Sequence, residues 1–397
     1  MGVSRDVRLA AVKLLDAVSN ERDAAACLSY LVEPPSPPVV SLVDEFGFCR
    51  SLEVLLGALI EPMQPLATSL PWDQVVAAAA QLEARVFSEP LRSLHRFESG
   101  GGYFIVRGSR DWPRGLVDLG PDQPLALWTS GGMPGGLPVA LVGARACTRY
   151  GERVAQEMAT ELTNIGAVVV SGGAFGIDAA AHQGALAGAG KTVAVMAGGV
   201  DRLYPAGLFD LHAAILEHGC IISEMPPGSR PARWRFLSRN RLIAALSAVT
   251  VVVEAGSRSG ALSTARRALE IGRPVGCIPG TVTSPMSVGT NNLIRSGADL
   301  VTDAKHVLSL AAQSVSDFSL ANEVAPDLLP GVDSATEDTI PGELRRVYDA
   351  LPKARAASLC SISAAVGLSE RDVAGQLVEL QLLGEVENVG QARWKRV

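Results

Sequence analysis

The chain has 397 residues, 48% of them apolar, and a formal net charge of −6 at pH 7; that length suits two to three domains and that composition supplies large cores. The acidic balance argues against coating nucleic acid by bulk charge but leaves room for a local basic groove. No apolar run approaches the roughly 20 residues that span a bilayer, and Met1 to Asp6 lack a signal peptide's apolar stretch, so a soluble, cytoplasmic protein without a membrane partner is expected.

Residues 1–95 read as helical, from the spacing of apolar residues over Val7–Leu15 and the alanine-rich stretch Val75–Val86. Glu33-Pro34-Pro35-Ser36-Pro37-Pro38 interrupts them as a stiff connector. After the glycines at 100–102 the chain alternates strand and helix to about 312, within a domain expected over 96–312. Strand-like runs are Val139–Val142, Ala167–Val170, Thr192–Met196, Cys220–Ile222, Val249–Val253 and Pro274–Ile278. Helical stretches at Gly151–Ile165, Ile177–Ala187, Leu208–His218 and Gly260–Ile271 lie between them. The runs are continuously apolar, as strands buried on both faces must be. The expected fold is therefore α/β, a doubly wound Rossmann-like sheet. Residues 313–340 mix Ser, Asp, Pro and Glu without periodicity and read as a linker. In 341–397, helices over Leu344–Leu351, Ser361–Val366 and Glu370–Leu382 and a hairpin over Gly384–Lys395 are expected, with Ser369 capping the last helix.

Short loops at or near the carboxyl ends of the strand-like runs carry the functional signal: Val142-Gly143-Ala144-Arg145, Ser171-Gly172-Gly173, Arg239-Asn240-Arg241 and Arg258-Ser259-Gly260. In a parallel sheet these ends share one edge, where helix N-termini and free backbone N–H groups attract anions. Small residues let a phosphate approach the backbone, and arginine supplies charge.

Three other motifs read as structural. Ala185 to Thr192 fits a relaxed Walker A pattern, but it closes a helix and opens a strand, the reverse of a phosphate loop; Gly190 reads as a helix cap. Asp178 and His182 share a helical face, yet no further ligands complete a metal site, and they read as a polar pair organising the helix start. Cys220 and Cys277 read as buried hydrophobes.

The strongest electrostatic signal spans Arg230 to Arg241: five arginines with Trp234 and Phe236, inside an acid-free window from Met225 to Val253. Arginine pairs with phosphate and aromatic faces stack on unpaired bases, so interleaving them suits a single-strand groove. The alternative places Trp234 and Phe236 in the core.

These motifs together resemble the DNA-processing protein A (DprA/Smf) family. The resemblance rests on Val142 to Gly151, Ser171 to His182, Asp201 to Pro205, Ile222 to Glu224, Phe236 to Arg241, Arg258 to Arg266, Pro279-Gly280 and Gly289 to Asn291, in the family's order. It implies a Rossmann-fold binder of single-stranded DNA that dimerises and helps load a RecA-type recombinase, typically in natural transformation. It also implies an N-terminal helical domain over 1–95, of the SAM or helix-hairpin-helix type, and a C-terminal winged-helix-like module. The DNA-binding residues implied are Gly143, Arg145, Thr148, Gly172, Gly173, Arg233, Phe236, Arg239, Asn240, Arg241, Arg258, Ser259 and Gly260. Phe175 and Ala206 stand where the family often carries basic residues, so both departures remove positive charge.

The last helix of the C-terminal module carries Glu370, Asp372 and Glu379 beside Arg371, a pattern better suited to packing or partner docking than to a major groove. The expected function is a non-enzymatic recombination mediator with no catalytic residue, metal or cofactor. The rival is a Rossmann enzyme of the phosphoribohydrolase (lysine-decarboxylase-like) type. It needs a glutamate as acid or base, and none stands in the first turn of the helix after Gly260.

Overall fold

The computed structural model describes residues 4–60, 72–82, 85–188 and 190–312, then 344, 347–348, 350–351, 357–382, 386–388 and 393–396. These fall into two units divided between Leu328 and Leu329. The linker expected over 313–340 lies outside the described residues.

The first unit opens with helices α1 (Arg5–Ala17), α2 (Glu21–Leu31), α3 (Pro37–Ile60), α4 (Trp72–Ala80) and α5 (Pro90–Ser99). Ser4 and Asn20 cap the first two, accepting from the N–H groups of Val7 and Asp23. Their side chains fill N–H groups that would otherwise lack partners. The alanine-rich stretch is helical only to Ala80.

A nine-stranded sheet follows: β1 (Gly102–Val106), β2 (Ala126–Ser130), β3 (Pro138–Val142), β4 (Val168–Ser171), β5 (Thr192–Val195), β6 (Cys220–Ser223), β7 (Val249–Val252), β8 (Val275–Cys277) and β9 (Asp299–Leu300). Helices α6 (Arg149–Asn164), α7 (Ile177–Ala187), α8 (Phe209–His218), α9 (Arg233–Ala245), α10 (Ala261–Glu270), α11 (Val288–Arg295) and α12 (Ala304–Ala312) lie between or after the strands. The order is β1-β2-β6-β5-β4-β3-β7-β8-β9. From β6 to β9 every pairing is parallel, whereas β1 and β2 are antiparallel additions at one edge. Every residue of β3 to β8 is buried, which explains their continuous apolar runs. The doubly wound Rossmann-like sheet is therefore present, with further elements outside the expected pattern: the β1–β2 edge, β9, α11, α12 and α9, the last formed by the arginine-rich segment.

Strand order reverses beside β3, which pairs with β4 on one side and β7 on the other. The loops leaving β3 and β7 thus flank a crevice at the sheet's carboxyl edge, the place where ligands settle in open α/β sheets. The Walker-like run before β5 is no phosphate loop: the N–H of Gly190, at φ +87°, bonds to Ala185 O and Thr192 begins the strand.

The boundary expected near residue 95 is not a seam in the packing. One apolar cluster runs from Val7 in α1 to Ile221 in β6. At its centre Trp128 of β2 is fully buried among the rings of Tyr30, Phe97 and Phe104, with centroids 5.9, 5.3 and 4.4 Å away.

The second unit carries β10 (Ala357–Ser358), α13 (Leu359–Val366), α14 (Glu370–Leu382), β11 (Val386–Asn388) and β12 (Arg393–Arg396), with sheet order β10-β12-β11. The order of these described elements is strand, helix, helix, hairpin. Gly367 ends α13 at φ +66°, and Ser369 Oγ accepts from Asp372 N–H to start α14.

Trp128→Ala should remove about 3–5 kcal/mol of stability and shift one cooperative transition that includes the N-terminal helices. Denaturant unfolding followed by circular dichroism checks this; an N-terminal step that melts separately and unshifted would contradict a shared core.

Candidate nucleic-acid interface

The site is assembled around α9. Arg239, on its buried face, donates through Nη1 to Gly172 O at 2.8 Å and to Val195 O. One side chain thus joins α9 to the loop after β4 and to the end of β5. Asp178, in the first turn of α7, accepts from Gly172 N–H at 3.1 Å and supplies the countercharge. Burial lowers Arg239 to about 10, which still leaves it protonated at neutral pH; burial pushes the Asp178 carboxyl up, opposed by the Arg239 charge. A methyl group on Gly172 would overlap the Arg239 guanidinium and the Asp178 carboxylate, so any larger residue there would have to displace that pair.

The next two residues are structural as well. Asn240 donates to Gly260 O at 3.2 Å, fixing the loop after β7. Arg241 is 1% exposed and forks onto Glu224 at 2.7 and 2.5 Å, while its Nε donates to Asp122 O at 2.8 Å. The Arg-Asn-Arg motif expected to touch phosphates therefore lies beneath the surface: desolvated guanidinium groups need acceptors, which strand-end carbonyls give Arg239 and the Glu224 carboxylate gives Arg241.

The outward face of α9 differs. Arg233 and Trp234 are exposed, Phe236 half-buried, and the i, i+3 spacing puts Arg233 and Phe236 on neighbouring surface. Phe236 lies under the Arg145 guanidinium, whose carbon is 4.8 Å from the ring centroid, and its ring is 5.8 Å from that of Tyr204. The alternative of a core position for Trp234 fails, since that residue is 61% exposed. Arg258 and Gly260 are exposed on the loop after β7, with Ser259 half-buried between them and its Oγ accepting from Ala261 N–H. No ion-pair partner meets Arg145, Arg202, Arg230, Arg233 or Arg258 among the described residues.

The first loop is shaped by packing. Gly143 fits against Ile177 and Glu254 O, where a Cβ would come within 2.5 and 2.8 Å. Thr148 accepts from Gly151 N–H to cap α6 and gives its own hydroxyl and N–H to buried Glu254, at 2.6 and 2.8 Å. Thr148 is therefore tied inward. Gly173 is also buried, at φ +62° beside His212. Sequence reasoning did not single out Glu254, which sits directly after the apolar run of β7, or Glu33. Glu33 accepts from Arg235 at 2.6 and 2.7 Å, from Trp234 Nε1 at 3.1 Å and from Arg85, joining the Pro-rich connector to α9. Burial pushes the Glu33 carboxyl up, but these donors outweigh it and hold it at about 2.

Asp178 and His182 do separate work. His182 is buried, with Nδ1 2.7 Å from Thr192 Oγ1. Because the Thr192 hydroxyl donates to Val169 O, His182 is the donor through Nδ1. Burial, with the neighbouring His212 and Arg239, lowers its pKa to about 3.

The family model of DNA recombination-mediator protein A matches residues 103–312. A Mycobacterium tuberculosis protein with the provisional name DNA processing protein DprA is 45% identical over 280 residues, covering 69% of each chain. The DNA processing protein DprA of Bacillus subtilis is 34% identical over 247 residues, 61% of this chain and 83% of that one. The X-ray structure of DNA processing protein A from Streptococcus pneumoniae superposes with a TM-score of 0.59 at 32% identity, covering 74% of this chain and 98% of that one.

Two outcomes follow from the buried groups. Arg241→Met should destabilise by about 3–5 kcal/mol, because it strands the Glu224 carboxylate, and adding Glu224→Leu should restore part of the loss; chemical denaturation of both variants checks it. For His182, the unfolded chain takes up a proton near 6.5 while the folded protein does so only near 3. Its contribution to stability is full above 6.5 and falls as pH drops toward 3. Urea midpoints of wild type and His182→Gln should converge over that window as pH falls; parallel curves would refute it.

Proposed function

The chain belongs to the DNA recombination-mediator protein A family, and from that premise we propose that it is a single-stranded DNA-binding recombination mediator acting in DNA processing. One observation carries the reading at the level of residues. At the carboxyl edge of the sheet Arg145, without an ion-pair partner among the described residues, is stacked on a half-exposed ring, Phe236, on a helix whose surface also offers Arg233. Such a surface takes a flexible strand: guanidinium groups follow the phosphates while rings accept bases of any identity. Duplex DNA hides its base faces and would leave the rings unused.

In this reading Arg145, Arg233 and Arg258 contact phosphates and Phe236 stacks on a base. Arg239, Asn240 and Arg241 hold the loops in place, and Gly143, Gly172, Gly173, Ser259 and Gly260 let the backbone take the required path. The strand is handed to a RecA-type recombinase, a homodimer is the working unit, and binding involves no bond-making chemistry. The overall charge of −6 is no obstacle, since cations free of ion pairs gather along one edge.

Replacing Arg145 or Arg233 with Ala should weaken single-strand binding for every sequence. Each substitution should also reduce the slope of log affinity against log salt by about 0.7, the value for one phosphate on a single strand. Fluorescence anisotropy with labelled oligonucleotides at several salt concentrations measures both. Unchanged slopes in both variants would remove these residues from the interface.

A further inference from the structure

Phe175 is left unexplained by the phosphate contacts. It stands in the loop between β4 and α7 and is 48% exposed. The next residue, Gly176, takes φ +81°, a backbone position that favours glycine and turns the chain into α7. About half of the Phe175 surface therefore stays in water, an apolar area that a ligand can cover. Its ring borders a cavity of about 630 Å³, which Arg145, Glu152, Ala179, Gln183 and Leu208 also line. That volume is within the range of about 300–1,000 Å³ typical of small-molecule sites.

We propose that this cavity is a nucleobase pocket in which one base of the bound strand leaves the stack and lies on Phe175. The proposal rests on the single-strand function above and assigns a second stacking site to it. The chemistry of the walls suits a base. Phe175 gives a flat apolar face. Gln183 accepts at Oε1 from Gln156 at 3.1 Å and so keeps its own amide N–H groups for a base carbonyl or ring nitrogen. The exposed Glu152 carboxylate makes no ion pair among the described residues and can accept from an exocyclic amine.

Placement supports it. Arg145 borders the cavity on one side and stacks on Phe236 on the other. A phosphate on Arg145 would thus have Phe175 to one side and the Phe236–Tyr204 pair to the other. Gly207 lies against the Phe175 ring, where a Cβ would come within 3.1 Å, so the segment carrying Tyr204 is beside the pocket as well.

The test uses the full chain with an oligothymidylate carrying one 2-aminopurine, comparing wild type with Phe175→Leu, which keeps apolar bulk without a ring, and Phe175→Trp, which keeps a ring. Phe175→Leu should bind about 5- to 150-fold more weakly, the stacking range for one base, and lose the quench of 2-aminopurine. Phe175→Trp should retain both. The salt slope should stay at the wild-type value in each, since a ring releases no counterions. If wild type binds and Phe175→Leu matches it in affinity and quench, the pocket is overturned and the function stands. If wild type binds no single strand, the function fails and the pocket with it.

Discussion

A buried arginine must find acceptors wherever the chain leaves them, and in this protein that requirement organises the interface. Arg239 takes the carbonyls of Gly172 and Val195 at the ends of two parallel strands, with Asp178 at the start of α7 as countercharge. Strand ends are where backbone carbonyls run out of sheet partners, so one guanidinium satisfies them and places α9 across the sheet's edge. Asn240 and Arg241 extend the arrangement to the loop after β7 and to Glu224. The outward residues of the same helix are then fixed in position by the inward ones.

The helix shows one residue type doing two jobs, separated by burial. Arg239 and Arg241 turn inward, where removal from water makes their hydrogen bonds strong and their loss severe. Arg233 turns outward, where its charge is free for a phosphate. Arg235 is intermediate, its charge cancelled by Glu33. Counting the arginines between 230 and 241 as one basic patch therefore overstates the charge available to a ligand.

Much of the α/β core was legible because a short, continuously apolar run between helices suits a strand buried on both faces: all six expected strands are present, within one or two residues. The β1–β2 edge escaped because it is antiparallel and stands outside the strand–helix alternation. Helix α9 escaped for a sharper reason. Periodicity arguments treat polar residues as the exposed face, whereas α9 buries Arg239, Asn240 and Arg241 against polar partners supplied by distant segments. Those partners, Gly172, Val195, Glu224 and Gly260, are fixed only by strand order, which no local pattern reveals. The same limit applied at the N-terminus, where a proline-rich connector reads as a domain edge while Trp128 draws both sides into one core.

That connector also explains why the N-terminal helices belong with the interface. Glu33 is reached by Arg85 from the helical region and by Arg235 and Trp234 from α9, and Tyr30 donates to Pro227 O at 3.2 Å on the segment leading into α9. The carboxylate keeps its charge because those donors outweigh its desolvation. Held from below by Arg239 and from the side by Glu33, α9 has little freedom to move away from the sheet's edge. Rigidity of this kind lowers the cost of binding on the protein's side, since α9 has already lost its conformational entropy on folding.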